Sequence, residues 1–335
     1  MSTVAESIAV PSSTGRPWAA AVDLLRRSPA AGTVVGVVAI LIVGAIASPG
    51  FVSPQQLTGQ LTVAAILAIV AAGQGLVVLS GQEGIDLSLG GVMSLAALLA
   101  GNVMRGQDAG IPLAIATAVA SGLLAGAING IGVTLLRIPP LVMTLGSAGV
   151  IVGLLVVLTQ GQSSGSAAPA LVRFTTQSTG IGIPGVLVFW ALLMLTVHGL
   201  LRHTRFGINL YAIGANSTAA SLCGVSVRLT RIAAYAVAGG LAAIGGVVLL
   251  GYSGTVFVGG GEQYVLPSVI AVVVGGTSLA GGRGNYFGTS IGAVFLTLLT
   301  ALLTTLEIGP AQRQVAFGIA LIGFLVIYGR ERSTR

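Results

Sequence analysis

The chain has 335 residues, of which 54% are hydrophobic and only 7% charged, and its mean hydropathy is +1.00. A soluble domain carries about 25% charged residues, so this composition excludes a water-soluble globule and points to an all-α, polytopic membrane protein. The net charge of +7 comes from fifteen basic residues, all arginine, scattered between apolar spans; that pattern speaks for orientation in a membrane and against nucleic-acid binding.

Residues 1–29 are polar and basic, ending near Arg26 and Arg27, and read as a cytoplasmic lead. A secretory apolar region is only about 7–15 residues long, whereas a long apolar span follows here. A membrane crossing takes about 20 mostly apolar residues. About ten stretches qualify: 30–48, 57–80, 87–104, 111–136, 141–159, 183–201, 232–252, 265–281, 286–306 and 312–328. Glycine or proline interrupts or flanks the third, fifth and eighth, so broken or re-entrant helices are expected there, where buried backbone can be satisfied by protein. With the N-terminus inside, twelve arginines fall inside and three (Arg105, Arg173 and Arg313) outside. This bias supports ten spans with both termini cytoplasmic and 329–335 as a cytoplasmic tail.

Between the second and third spans lies GQEGIDLSLGG, residues 81–91. Asp86 and Ser88 read as a helix start with Asp86 as N-cap, in preference to a proton carrier or substrate ligand. Gly81 and Gly84 allow a sharp turn, Gly90 and Gly91 allow close helix packing, and Glu83 reads as an exposed loop acid. Residues 160–182 form a polar outer connection and 202–231 an arginine-flanked inner one. In the inner loop, Asn216 suits an N-cap, STAASLC a short helix and Gly224 the position after it. The run from Gly275 and Gly276 through Gly281, Gly282 and Gly284 reads as a turn at the inner face, and Arg283 there suits a headgroup phosphate or a partner's acid. Residues 87–101 and 277–296 both pass from a glycine cluster into a small-residue helix, a pattern compatible with an inverted repeat of five plus five spans.

Several chemistries are missing. Without lysine there is no GxxxxGK[ST] phosphate loop. There is no HExxH motif, and the single Cys223 excludes an internal disulfide. His198 and His203 read as interfacial packing residues. Glu83, Asp86, Glu262 and Glu307 all lie at span ends or in short loops, so no carboxylate stands out as an ion-coupling group. Gln74, Asn129 and Thr144 are the polar residues best placed inside spans, either to line a path for a hydroxyl-rich solute or to bond between helices.

RFGINLYAIGANSTAASLCGVSV (205–227) resembles the cytoplasmic loop of permease subunits of ribose-type monosaccharide ABC importers. GIDLSLGGVMSLAALLAG, NGIGVTLLRIPPLVMTLGSAGVIVGL and IAVVVGGTSLAGGRGNYFGTSIGA resemble further segments of that family, in family order, over roughly 55–330. The resemblance implies that 30–328 is one permease domain translocating a monosaccharide or similar sugar across the bacterial inner membrane. It implies a second permease chain, alike or different, cytoplasmic ATPase subunits that bind the ATP and Mg, and a periplasmic or lipid-anchored sugar-binding protein. This chain would bind no cofactor and would not itself be an enzyme. By the same likeness Asn216, Ser217, Ala219, Ala220, Leu222 and Gly224 belong to a coupling helix that sits in an ATPase groove. The chain departs from the family at Glu83-Gly84, often a glycine pair, and at Val265 and Pro267, where many members have acids. The alternative is a stand-alone secondary transporter or facilitator of a small polar solute.

Overall fold

The structure is a computed structural model that describes residues 29–82, 84–162, 165–180 and 182–329. The N-terminal lead before Pro29, Glu83 and the tail beyond Gly329 lie outside the described residues. The helices are α1 (Pro29–Ala47), α2 (Pro54–Leu79), α3 (Leu89–Met104), α4 (Ile111–Thr134), α5 (Pro140–Thr159), α6 (Pro169–Thr176), α7 (Gly185–His203), α8 (Arg205–Ala215), α9 (Ser217–Leu222), α10 (Val227–Ser253), α11 (Val265–Val274), α12 (Tyr286–Thr305) and α13 (Pro310–Gly329). Proline sets several of the starts: Pro54, Pro140 and Pro169 occupy the first helical turn, where a missing N–H costs nothing.

The protein is an all-α polytopic membrane protein. A helix falls on each of the ten expected stretches, and α2, α4, α5, α7, α10 and α12 are long and apolar enough to cross a bilayer. α1, α3 and α11 are shorter apolar helices. The expected eighth span, 265–281, is only partly helical. α11 has ten residues, about 15 Å at 1.5 Å per residue, which is half of a hydrocarbon core. The rest of that stretch is the glycine turn. The fifth stretch differs in the other direction: α5 is one unbroken helix of 20 residues, because its prolines sit at the start and not within it.

α2 and α10 form the centre. In α2, 83% of the apolar window is buried, against 22% in α4 and 17% in α5. The outer helices keep large apolar side chains exposed, such as Leu124, Ile128, Val150 and Val157, as a lipid-facing surface requires. α4 packs on α10 through Gly122, Gly126 and Gly130, one residue per turn along one face. A Cβ on Gly126 would meet the backbone carbonyl of Tyr235, and one on Gly130 would lie 2.8 Å from Ile232 Cα. Small residues at four-residue spacing let the two backbones touch, which replaces the hydrophobic drive that lipid removes.

The connection 160–182 holds a helix, α6, that the sequence pattern does not signal. α6 lies back on α10, where a Cβ at Gly251 would meet the Leu171 side chain at 2.8 Å. Asp108 fastens it: its Oδ1 accepts from Ala170 N (2.8 Å) and its Oδ2 lies 3.6 Å from an Arg173 nitrogen. Both charges are about half exposed, so the carboxylate's bond to the helix start counts for more than the ion pair.

A cradled loop and a capped inner helix

The chain does not simply turn at the membrane surface after α2. Gly81 (φ +79°) and Gln82 (φ +55°) reverse it, and 84–88 run back beside α2. Gln74, five residues before the end of α2, reaches the returning chain. In the amide orientation that satisfies both of its ends, it donates to Asp86 O (3.0 Å) and accepts from Asp86 N (3.2 Å). Asp86 lies in a short connection ahead of α3, as expected, but that connection folds about 7.5 Å back along α2, and Asp86 is only 1% exposed inside the bundle.

Two other helices complete the cradle. On α5, Thr144 Oγ1 accepts from Leu87 N (3.1 Å) and lies 3.3 Å from Ile85 O. On α4, Asn129 Nδ2 donates to Ser88 Oγ (2.7 Å), and Ser88 Oγ donates to Asp86 Oδ1 (2.6 Å). Ser88 N also donates to Asp86 Oδ1 (2.8 Å). Gln74, Asn129 and Thr144, each fully buried, thus converge on one irregular segment. Non-helical backbone in a bundle needs such partners, and these three side chains supply them.

Asp86 does bind a free N–H two residues on, as a cap would, but the α-helix starts at Leu89, and Ser88 in the cap position makes no side-chain capping bond. The close packing expected of Gly90 is present: a Cβ there would lie 2.7 Å from Gly261 O, and Ser94 Oγ accepts from Gly261 N (2.9 Å). Asp86 Oδ2, Asn129 Oδ1 and the Tyr235 hydroxyl have no hydrogen-bond partner among the described residues.

The connection 202–231 is built of two helices where the sequence suggested one. α8 is capped by Thr204 and runs to Ala215. Asn216 then caps α9, its Oδ1 accepting from Ala219 N (3.0 Å). At the other end Gly224 (φ +83°) donates to Ser221 O (3.0 Å) and Val225 N donates to Ala220 O (3.1 Å). These are the paired bonds of a Schellman ending, with Ala220 buried beneath. Ser217 opens the helix, and Leu222 at its tip is 85% exposed.

α8 carries this cap to the rest of the molecule. Gly282 N donates to Leu79 O (3.1 Å), and a Cβ on Gly81 would lie 3.1 Å from Gly214 Cα. Tyr211 adds a hydroxyl bond to Gly284 O (2.7 Å). The end of α2, the end of α8 and the glycine turn therefore meet backbone to backbone. Gly276, Gly281 and Gly282 have positive φ (+91°, +86° and +69°), which fits the expected turn, and Gly275 closes α11. Arg283 is exposed there. His198 packs its ring on Phe287, with centroids 5.0 Å apart.

The family described as branched-chain amino acid transport system / permease component matches residues 56–327. The autoinducer 2 import system permease protein LsrC of Salmonella paratyphi B is 32% identical over 92% of this chain and 88% of its own length. The ribose import permease protein RbsC of Bacillus subtilis is 33% identical over 90% of this chain and 93% of its own. No solved structure matches significantly. On the family match and these two likenesses, the chain belongs to this permease family, in its ribose-type ABC importer group.

Proposed function

We propose that the chain is the ten-span permease subunit of an ABC importer for a monosaccharide or a similar polyhydroxylated solute. Two permease chains form the path, partner ATPases supply the energy, and a binding protein delivers the solute from outside. α9 is the lever that an ATPase groove takes up. One observation carries this reading: a short helix capped at both ends presents an exposed Leu222, and α8 joins it by backbone contact to α2 and the glycine turn. An exposed apolar tip on an otherwise well-capped helix suits a protein partner.

The test is uptake into proteoliposomes holding the chain with its co-purifying ATPase. Leu222→Asp and Gly224→Pro are expected to leave assembly of the permease intact and to abolish ATP-driven uptake. Transport by the chain alone, without ATPase and lost in Asp86→Asn, would instead establish the secondary-transporter reading.

A further inference from the structure

Beside the cradle, at the same end of the bundle as α9, lies a cavity of about 440 Å³ lined by Gln82, Arg137, Pro139, Pro140, Arg228 and Arg231, among others. Three of the chain's fifteen arginines face this one space. None of them forms an ion pair with a carboxylate among the described residues. Arg231 is only 6% exposed. Its one recorded hydrogen bond is a long one, 3.4 Å to Ser80 O, and its Nε has no partner. Burying a cation without a counter-charge is costly, so this arrangement calls for an anion.

One helix start points the same way. α10 begins at Val227 without a side-chain cap. Val227 and Arg228, whose N–H groups open that helix, line the cavity, and the positive dipole end there favours a negative group. The α4–α5 turn exposes Leu135 and Leu136, and the first turn of α5 exposes Leu141 and Val142. A cationic pocket edged by apolar surface matches a lipid phosphate with its chains laid along the helices.

We propose that this pocket binds the phosphate group of an anionic ligand, held between Arg137 on the α4–α5 turn and Arg228 and Arg231 on the first turns of α10. The phosphate comes either from an anionic lipid of the inner leaflet or from a soluble phosphate, and the two sources separate by experiment. Bound there, it ties the α4–α5 turn to the helix that follows α9 directly.

The full-length chain in an uncharged detergent is titrated with dioctanoyl phosphatidylglycerol, with dioctanoylglycerol, and with sodium phosphate against sodium chloride at equal ionic strength. Binding is read by native mass spectrometry and by the melting temperature. One phosphatidylglycerol is expected per chain, with no effect of dioctanoylglycerol. The exposed pair Arg137→Gln/Arg228→Gln is expected to weaken binding about thirtyfold, while Arg202→Gln/Arg205→Gln, at the same end but outside the pocket, changes nothing. Phosphate binding with the same arginine dependence and no lipid preference also supports the site and identifies a soluble source. The proposal is overturned if neither phosphate probe binds, or if the two double variants behave alike. It is equally overturned if phosphate binds only in Glu83→Gln, since the chain's own carboxylate then fills the pocket.

Discussion

Gln74 and Gln60 lie on the same helix, both are buried, and the structure treats them oppositely. Gln74 satisfies the N–H and the C=O of Asp86, neither of which has another partner among the described residues. Gln60 is 7% exposed, and neither of its amide atoms is bonded. Replacing Gln74 with leucine keeps the volume and orphans two backbone groups. At about 1–3 kcal/mol for each unsatisfied group, the loss is about 2–6 kcal/mol. Side-chain bonds between membrane helices average only about 0.6 kcal/mol, because the unfolded state in the membrane also finds partners. That average applies poorly here, since the groups left behind belong to non-helical backbone enclosed by α2, α4 and α5. Gln60→Leu removes a desolvated amide that bonds to nothing, so it is expected to be neutral or stabilising. Thermal melting of the full-length chain in detergent gives the comparison. At about 2 °C per kcal/mol for a chain of this size, Gln74→Leu should melt at least about 4 °C lower and Gln60→Leu no lower than the parent. If the two variants melt together, the cradle does not hold the loop, and the energetic account of it fails.

Two further pairs of variants are expected to separate, the first by the same melting assay and the second by melting together with uptake. Gly126→Ala drives a methyl into the Tyr235 carbonyl and should cost about 1–3 kcal/mol, whereas Gly153→Ala, with nothing within 4 Å of its Cβ, should gain up to about 1 kcal/mol from helix propensity. Asp86→Asn retains an oxygen for both Ser88 bonds and should fold and transport nearly as the parent does, whereas Asp86→Ala should melt lower. An Asp86→Asn chain that folds normally and transports nothing would make the carboxylate a functional charge.

The helices were legible because apolar runs of span length have few alternatives in lipid, and the caps of α9 were legible because Asn216 and Gly224 each suit one backbone position. The depth of Asp86 was not legible. A glycine-flanked acid between two spans reads as a surface turn, and only three side chains far apart in sequence show that the loop folds inward. Gln74, Asn129 and Thr144 were visible as polar groups within apolar helices, but not as partners of one segment, because their common target lies in backbone atoms that sequence does not mark. Arg231 precedes an apolar run and so reads as a loop charge; α10 starts earlier than that run, which carries the arginine into the interior. α6 and α8 were missed because short amphipathic helices in polar connections lack the long apolar signal. Gly122, Gly126 and Gly130 carried a readable four-residue period that overall glycine richness concealed.

The meeting of Gly81, Gly214 and Gly282 also has a mechanical meaning. Side chains absorb displacement by changing rotamer, and a contact made through them is compliant. Where backbone rests on backbone that slack is absent, so a displacement of α8 would be passed on stiffly to the end of α2 and to the turn that follows α11. The stiffness of this junction is thus set by the absence of side chains at three positions, and even a single methyl group there would act as a wedge rather than a cushion.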